Sequence, residues 1–128
     1  MTDPAATVDA LIDAINRADI EKATKLYEPG ATLIAQPGTA ARGLNQLREA
    51  LGGFISMKPN IRSSAHKVVE TGDLALYIGR WTLTGSDPSG KPVEMSGEST
   101  DILRRTPDGQ WLIALDNPWG VSLLSPKT

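Results

Sequence analysis

The sequence predicts an α+β fold in which helices gather on one face of a curved antiparallel sheet. The first half of the chain carries three segments with apolar residues at helical spacing, and the second half carries long strand-like runs. Two turn sequences, 86–92 and 107–109, join the last three runs into an antiparallel meander. Gly79 and Gly97 interrupt two of these runs, and a glycine inside a strand favours a bulge or a bend.

Three helices are expected before the long strands. Asp3 and Pro4 suit the capping residue and the first turn of the first helix, and Asp19 suits the cap of the second. Gly52 and Gly53 are expected to end or loosen the third. The apolar positions that define the helices are Val8, Leu11, Ile12 and Ile15 in the first, Ile20, Ala23, Leu26 and Tyr27 in the second, which covers 20–27, and Leu44, Leu47 and Leu51 in the third.

The strand pattern begins with a short run at 31–35, and the prolines and glycines from 36 to 43 predict a loop after it. Longer runs follow, and their β-branched and aromatic residues are typical of strands. The expected ranges of these longer strands are 61–70, 74–84, 93–105 and 111–116.

The first strand of the meander is apolar on both of its faces. Leu74, Leu76 and Ile78 fall on one face, and Tyr77 and Trp81 fall on the other. A strand that is apolar on both faces is covered on both. Three helices cover only one side of the sheet, so a homodimer through the convex sheet face is expected.

Length and charge are those of a small globular protein. The 128 residues are expected to form one domain, 1–128. The formal net charge is -2 and the basic residues are scattered, so neither nucleic acid nor a membrane is an expected partner. The chain has no cysteine, which excludes a thiol nucleophile and a thiolate metal site. No signal peptide or membrane-spanning run is recognised, so a cytoplasmic location is expected.

Asp101 is the strongest acid/base candidate, because a strand interior is a costly place for an unpaired charge. The alternative is that it faces solvent or pairs with an arginine such as Arg80 or Arg104. Asp116 and Asn117 end the last strand, where they either point toward a pocket or form a strand-terminating turn.

His66 is the only histidine and the only side chain whose ordinary pKa lies near neutrality. It is a catalytic candidate, although a lone histidine in a strand beside Lys67 is equally a surface residue. One histidine and scattered carboxylates lack the spacing of a catalytic zinc or iron site. No metal is expected.

Five stretches carry a family resemblance: GDLALY at 72–77, WTLTG at 81–85, DPSGKP at 87–92, RRTPDGQW at 104–111 and DNP at 116–118. With the order of elements, they resemble the nuclear transport factor 2-like superfamily, above all its SnoaL-like and ketosteroid-isomerase-like members. The resemblance implies a cone-shaped domain, a strongly curved sheet whose concave face and covering helices enclose a deep apolar pocket, commonly in a homodimer. The superfamily holds isomerases, cyclases, epoxide hydrolases and plain binding domains, so it does not fix the activity.

The resemblance to the isomerases is partial. Asp101 matches their neutral, hydrogen-bond-donating carboxyl group on the penultimate strand. Their general base is matched by Ala35 and Gln36, neither of which takes up a proton in that role. Leu11 stands where they carry a tyrosine on the first helix, and Trp119 falls near an aromatic pocket wall. Ketosteroid isomerase activity itself is therefore not expected.

The leading hypothesis is a pocket for a small, largely apolar molecule, such as a polyketide-like or steroid-like ring system, with acid/base isomerase- or cyclase-type chemistry and no cofactor. One alternative is a non-catalytic domain that binds a ligand or a protein. The other is epoxide-hydrolase-like activation of water by Asp101 and Asp116 beside Arg80, which requires a strand register that places both acids on one face. The catalytic candidates are Asp101, Asp116 and His66, and the ligand-binding candidates are Leu11, Ile15, Gln36, Phe54, Met57, Tyr77, Trp81, Asn117 and Trp119.

Overall fold

The computed structural model of the protein describes residues 2–125. Three α-helices, six strands and a short C-terminal 3₁₀ helix follow one another within that range. Their bounds are α1 Pro4–Asn16, α2 Ile20–Thr24, β1 Tyr27–Gln36, β2 Thr39–Arg42, α3 Gly43–Ser56, β3 Asn60–Thr71, β4 Leu74–Ser86, β5 Pro92–Arg105, β6 Trp111–Asp116 and the 3₁₀ helix Gly120–Leu124.

The strands form one curved, unclosed sheet in the order β2-β1-β6-β5-β4-β3. The predicted meander is confirmed, since β3, β4, β5 and β6 pair in sequence and antiparallel. The sheet is nevertheless mixed, because β1 pairs with β6 in parallel. The long stretch of chain between these two strands makes a parallel pairing accessible, whereas a short turn permits only an antiparallel one.

The helices pack on the concave face of the sheet, and α1 is tied to it by hydrogen bonds at its start. Asp3 caps the helix by accepting a bond of 2.8 Å from the N–H of Ala5, as its sequence predicts. The fully buried hydroxyl of Thr7 donates to the carbonyl oxygen of Trp111 at 2.8 Å. This bond links α1 directly to β6, the strand at the centre of the site described below.

The second helix is shorter than its apolar spacing predicts. It ends at Thr24, and Tyr27 opens β1 instead of closing the helix. The carbonyl oxygen of Leu26 accepts a bond of 2.9 Å from the N–H of Ile113, so the chain leaves the helix to join β6. The residues expected to form a loop from 36 to 43 include a second strand, β2, which pairs with β1 through a tight reversal at Gly38.

The third helix runs through Gly52 and Gly53 and ends at Ser56, so the two glycines do not stop it. Leu51 before them is fully buried, and Phe54 after them packs against the core. Burial on both sides offsets the helix propensity lost at two glycines, about 1 kcal/mol each.

Gly79 and Gly97 do not mark bulges in their own ladder, because the β4–β5 register is continuous through both. They leave space for aromatic rings instead. A Cβ atom at Gly79 would lie 2.4 Å from the ring of Tyr77, and one at Gly97 would lie 2.9 Å from the ring of Trp81. The two rings therefore lie flat along the concave face.

The outer face of the sheet keeps a group of apolar side chains exposed. Leu76 lies between Val69 of β3 and Ile102 of β5 in the ladders, and Leu74 and Ile78 flank it on β4. Between 36% and 54% of each of these five residues is exposed. We call this set the outer apolar patch.

Within residues 2–125, the structure contains no helix of the length and apolar character needed to cross a membrane.

Candidate functional site

A cavity of about 90 Å³ lies between the helices and the concave face of the sheet. Its apolar lining includes Val8, Leu11, Ile12 and Ile15 of α1, Leu51 and Phe54 of α3, and Leu33, Trp81 and Leu83 of the sheet. Its polar side chains include Tyr27, Ser63, Tyr77, Ser99, Asp101 and Asp116, all of them on strands.

A one-residue bulge decides which acids reach this cavity. The β5–β6 ladder shifts register between Ile102 and Leu103, and Ala114 is the extra residue on β6. The shift places Asp116 across from Asp101 on the concave face. Without it, side-chain alternation would turn Asp116 to the outer face, because a slip of one residue reverses the side of every later side chain.

Asp101 and Asp116 form a buried pair of carboxyl groups, which we call the acid pair. Only 4% of Asp101 and 7% of Asp116 is exposed. The hydroxyl of Tyr27 donates to Oδ2 of Asp116 at 2.5 Å, and the N–H of Asn117 donates to Oδ1 of Asp101 at 2.9 Å. The two carboxyl groups are close enough to influence each other's pKa. Two buried carboxylates in contact would repel each other strongly, so the acid pair retains one shared proton.

The surroundings determine where that proton resides. Burial raises the pKa of Asp101 well above its ordinary value, and the charge of Asp116 raises it further. Burial also raises the pKa of Asp116, but the bond donated by Tyr27 and the neighbouring Asp101 oppose this rise. Burial and then the charge of Asp116 raise the pKa of Tyr27 well above its ordinary value, so Tyr27 remains a donor. Asp101 is thus the protonated member and Asp116 the acceptor.

Within residues 2–125, no arginine forms an ion pair with either member of the acid pair. Arg80 pairs with Glu98 at 2.9 Å on the outer face, where 63% of its side chain is exposed. Arg104 pairs with Glu28 at 3.2 Å. Arg80 contributes to the cavity lining, but its side chain is engaged by Glu98, and neither Arg80 nor Arg104 forms an ion pair with Asp101.

Five of the residues expected from the sequence to bind a ligand line the cavity. They are Leu11, Ile15, Phe54, Tyr77 and Trp81. Gln36 does not, because it ends β1 with an exposed side chain. Met57 lies at the end of α3, where its carbonyl oxygen accepts a bond of 2.8 Å from the N–H of Ser86, and it is outside the cavity wall.

The catalytic candidate His66 and the ligand-binding candidates Asn117 and Trp119 lie behind or beside the cavity wall. His66 is exposed, and its ring stacks on Tyr77 with the centroids 5.6 Å apart. The buried amide of Asn117 donates to Oγ1 of Thr100 at 3.0 Å, so it holds the end of β6. Trp119 meets Trp81 edge to face at 5.7 Å and donates from Nε1 to the carbonyl oxygen of Ile34.

Sequence reasoning missed Tyr27, Ser63 and Ser99 as cavity residues. The spacing of Tyr27 matched the apolar face predicted for the second helix, and no neighbouring residue in the sequence indicated that the helix would end before Tyr27. Ser63 faces the cavity because the β3–β4 register shifts between Ser63 and Ala65, and this shift leaves no clear trace in the alternation. Ser99 lies two residues before Asp101 on the same strand, so strand alternation would have placed it beside the acid.

No cluster of three or more histidine or carboxylate side chains in the described part of the chain is arranged to hold a metal ion.

No curated protein matches this chain.

Solved structures share the fold. A nuclear transport factor 2-like protein from Salmonella enterica serovar Typhimurium matches with a TM-score of 0.79 and 19% identity, over 88% of this chain and 84% of its own. A proposed ketosteroid isomerase from Shewanella frigidimarina matches with a TM-score of 0.74 and 18% identity, over 88% and 91%. The epoxide hydrolase/cyclase-like enzyme SalBIII, of pyran ring formation in the polyether salinomycin, matches with a TM-score of 0.70 and 17% identity, over 91% of each chain.

The sequence itself matches the SnoaL-like domain model over residues 8–113. That range runs from α1 to β6 and contains Asp101, while Asp116 lies three residues beyond it. The chain therefore belongs to the SnoaL-like domain family, and it shares the fold of nuclear transport factor 2-like proteins.

Proposed function

We propose that the protein binds a small, largely apolar molecule in the cavity and acts on it by acid/base chemistry of the isomerase or cyclase type. The observation that carries this proposal is the acid pair, two buried carboxyl groups that share a proton in the wall of an otherwise largely apolar cavity. Titratable groups with raised pKa values in a cavity are typical of sites that transfer protons.

The two acids suit different roles. Asp101 carries the proton, so it donates a hydrogen bond to a carbonyl or ether oxygen of the ligand and stabilises negative charge that develops there. Asp116, held by Tyr27, is the acceptor that takes up a proton from a neighbouring carbon or hydroxyl group. Together they permit the transfer of a proton from one ligand atom to another without a cofactor.

The cavity volume favours a compact ligand. Its volume is about 90 Å³, whereas an engineered cavity of about 150 Å³ holds a benzene molecule and pockets for drug-sized ligands measure about 300–1,000 Å³. A single ring or a short chain requires the least movement of the wall. A steroid-sized ligand enters only if side chains such as Phe54 and Trp81, both partly exposed, are displaced.

A non-catalytic ligand-binding domain is the second candidate function. The observation that favours it is the pair Ala35 and Gln36, which stands where related isomerases carry their base, and Gln36 is exposed away from the cavity. Activation of water on an epoxide is less favoured, because no ion pair within residues 2–125 gives the acid pair a cationic partner.

We also propose that the protein is a homodimer that buries the outer apolar patch of each copy. Neighbouring apolar side chains of three strands, 36% to 54% exposed, lose contact with water only if another surface covers them. A two-fold dimer covers the patch with itself, since the same surface is present on both copies. The dimer leaves the cavity free, because the cavity opens on the opposite face of the sheet.

The proton-transfer role is tested with small cyclic enones, hydroxyketones and epoxides incubated in D₂O, with deuterium exchange and isomerisation followed by NMR. Wild type and Asp13→Asn, a variant of an exposed acid paired with Arg17, are expected to exchange protons in at least one of these substrates. Asp101→Asn is expected to lower that rate by about 100-fold or more while it still binds the substrate. Binding without exchange in any protein would instead assign the non-catalytic role.

A further inference from the structure

We propose that the hydroxyl groups of Tyr77, Ser63 and Ser99 form a second polar subsite, which binds a hydroxyl or carbonyl oxygen at the far end of the ligand held by the acid pair. This inference rests on the proposed function and narrows its ligand class. The ligand would be a compact apolar molecule with two oxygen functions on opposite sides.

The position of Tyr77 is fixed by the absence of a side chain at Gly79. A Cβ atom there would lie 2.4 Å from Cε1 and 2.9 Å from the hydroxyl oxygen of Tyr77. The tyrosine ring therefore lies along β4 in the space above Gly79, and only 2% of the residue is exposed. Asp101 is paired with Tyr77 in the β4–β5 ladder. Because the ring extends along β4 toward Gly79, the tyrosine hydroxyl lies about two residues away from the level of Asp101 in the sheet.

Two serines surround that hydroxyl. Ser99 is the direct partner of Gly79 on β5, so its side chain lies on the concave face beside the end of the tyrosine ring, and it is 7% exposed. Its Oγ donates only a long bond of 3.3 Å to the carbonyl oxygen of Gly79. Ser63, on β3, lies close enough to the tyrosine to oppose the rise that burial causes in the pKa of Tyr77. All three side chains line the cavity.

His66 holds the ring from its other side. The imidazole lies parallel to the Tyr77 ring, with an angle of 9° between the planes and 5.6 Å between the centroids. It is the partner of Gly79 on β3. The tyrosine is thus confined between two strands and above a glycine, which is the rigid support that a binding hydroxyl requires.

The subsite is at a useful distance from the acid pair. Ser99 and Asp101 are two residues apart on one face of β5, which corresponds to about 7 Å. A six-membered ring with oxygen atoms at its opposite positions spans this separation. A hydroxyl group both donates and accepts, so the subsite accommodates either a ligand hydroxyl or a carbonyl oxygen.

The test uses 4-hydroxycyclohexanone and cyclohexanone as matched probes, with dissociation constants measured by NMR titration of the labelled protein. Wild type is expected to bind the hydroxyketone about 5- to 10-fold more tightly, the usual gain from one hydrogen bond. Tyr77→Phe and Ser99→Ala are expected to reduce this preference, the ratio of the two dissociation constants within each variant, to less than about 2-fold. Ser96→Ala, on the outer face of the same strand, is the control and is expected to keep the preference.

Equal binding of the two probes by wild type, or a preference that survives in both Tyr77→Phe and Ser99→Ala, would overturn the second subsite and leave the proposed function standing. Failure of wild type to bind either ketone would overturn both. The amide spectra of the variants report their folding in the same experiment, and Ser99→Ala serves if the tyrosine variant is misfolded.

Discussion

Asp101 and Asp116 are buried side by side, and each carboxyl group accepts a hydrogen bond from a different neighbour. Asp116 accepts from the hydroxyl of Tyr27, and Asp101 accepts from the backbone of Asn117 while it keeps the shared proton. Two buried negative charges in contact would repel strongly, so the proton makes the arrangement stable as well as reactive. The same proton makes stability depend on pH.

The pKa of Asp101 is raised in the folded protein, so above about pH 4 the unfolded chain releases a proton that the folded state retains. This contribution to stability is complete below about pH 4 and is lost as the pH rises through the folded pKa. In that window the free energy of unfolding of wild type should fall relative to Asp101→Asn by up to about 1.4 kcal/mol per pH unit. Urea unfolding of both proteins at several pH values from about 4 to about 8 measures the difference. Parallel curves would show that Asp101 does not hold a proton preferentially.

Tyr27→Phe removes the donor to Asp116 without changing the ring that packs against the cavity. The acid would lose a bond from a neutral hydroxyl in a buried place, so the free energy of unfolding is expected to fall by about 1–3 kcal/mol. The loss of this bond would also raise the pKa of Asp116. Tyr77→Phe is the matched control, because its hydroxyl lies beside the more exposed Ser63, and a smaller loss is expected. Equal losses in urea unfolding would contradict a special role for Tyr27.

Two local features of the strands cannot be inferred from the alternation of side chains between the two faces of the sheet. One is the bulge in β6, and the other is a glycine in β4 that leaves space for an aromatic ring. The bulge at Ala114 moves Asp116 to the concave face, and Gly79 gives Tyr77 its place along the sheet. Both changes involve a single residue, and both decide which side chains reach the cavity.

Gly79→Ala should force the Tyr77 ring out of its position, because the new methyl group would overlap Cε1. An overpacked core of this kind costs about 1–3 kcal/mol in free energy of unfolding. Gly53→Ala in α3 is the matched control, since nothing lies within 4 Å of the added Cβ and alanine favours the helix. It is expected to raise stability by about 0.5–1 kcal/mol. Thermal or urea unfolding of the two variants measures this contrast, and an unchanged stability of Gly79→Ala would show that the ring moves freely.

At the scale of the molecule, each face of the sheet carries apolar side chains: the concave face is covered by helices, and the outer face is left open. The first encloses the cavity, and the second is the outer apolar patch. The size of the second surface is the reason for the proposed dimer, whose interface would be independent of the chemistry on the other side.

Sedimentation velocity at micromolar concentration is expected to give twice the chain mass for wild type. Leu76→Asp, at the centre of the outer apolar patch, would place two like charges near the two-fold axis and is expected to give the chain mass alone. Leu44→Asp alters another exposed apolar residue, 57% exposed at the start of α3, and is expected to remain a dimer. A monomeric wild type would refute the dimer and leave the cavity chemistry unaffected.

Much of the fold follows from local patterns. The cap at Asp3, the helical spacing after it and the two turns of the meander each depend on residues close together in sequence, and all of them are found in the structure. The end of α2, the strand β2 and the continuation of α3 through its glycines differ from the local prediction. In each of these places, contacts with distant residues outweigh local preference.

The class of the fold, the meander and an acid inside a strand at Asp101 could be predicted from the sequence, because periodicity and turn chemistry are local properties. The approach of Asp116 to Asp101, the bond from Tyr27 to Asp116 and the ion pairs that engage Arg80 and Arg104 elsewhere became evident only in the folded structure. The physical reason is that a one-residue bulge reverses the direction of a side chain at little local cost, so its position is set by packing across the sheet.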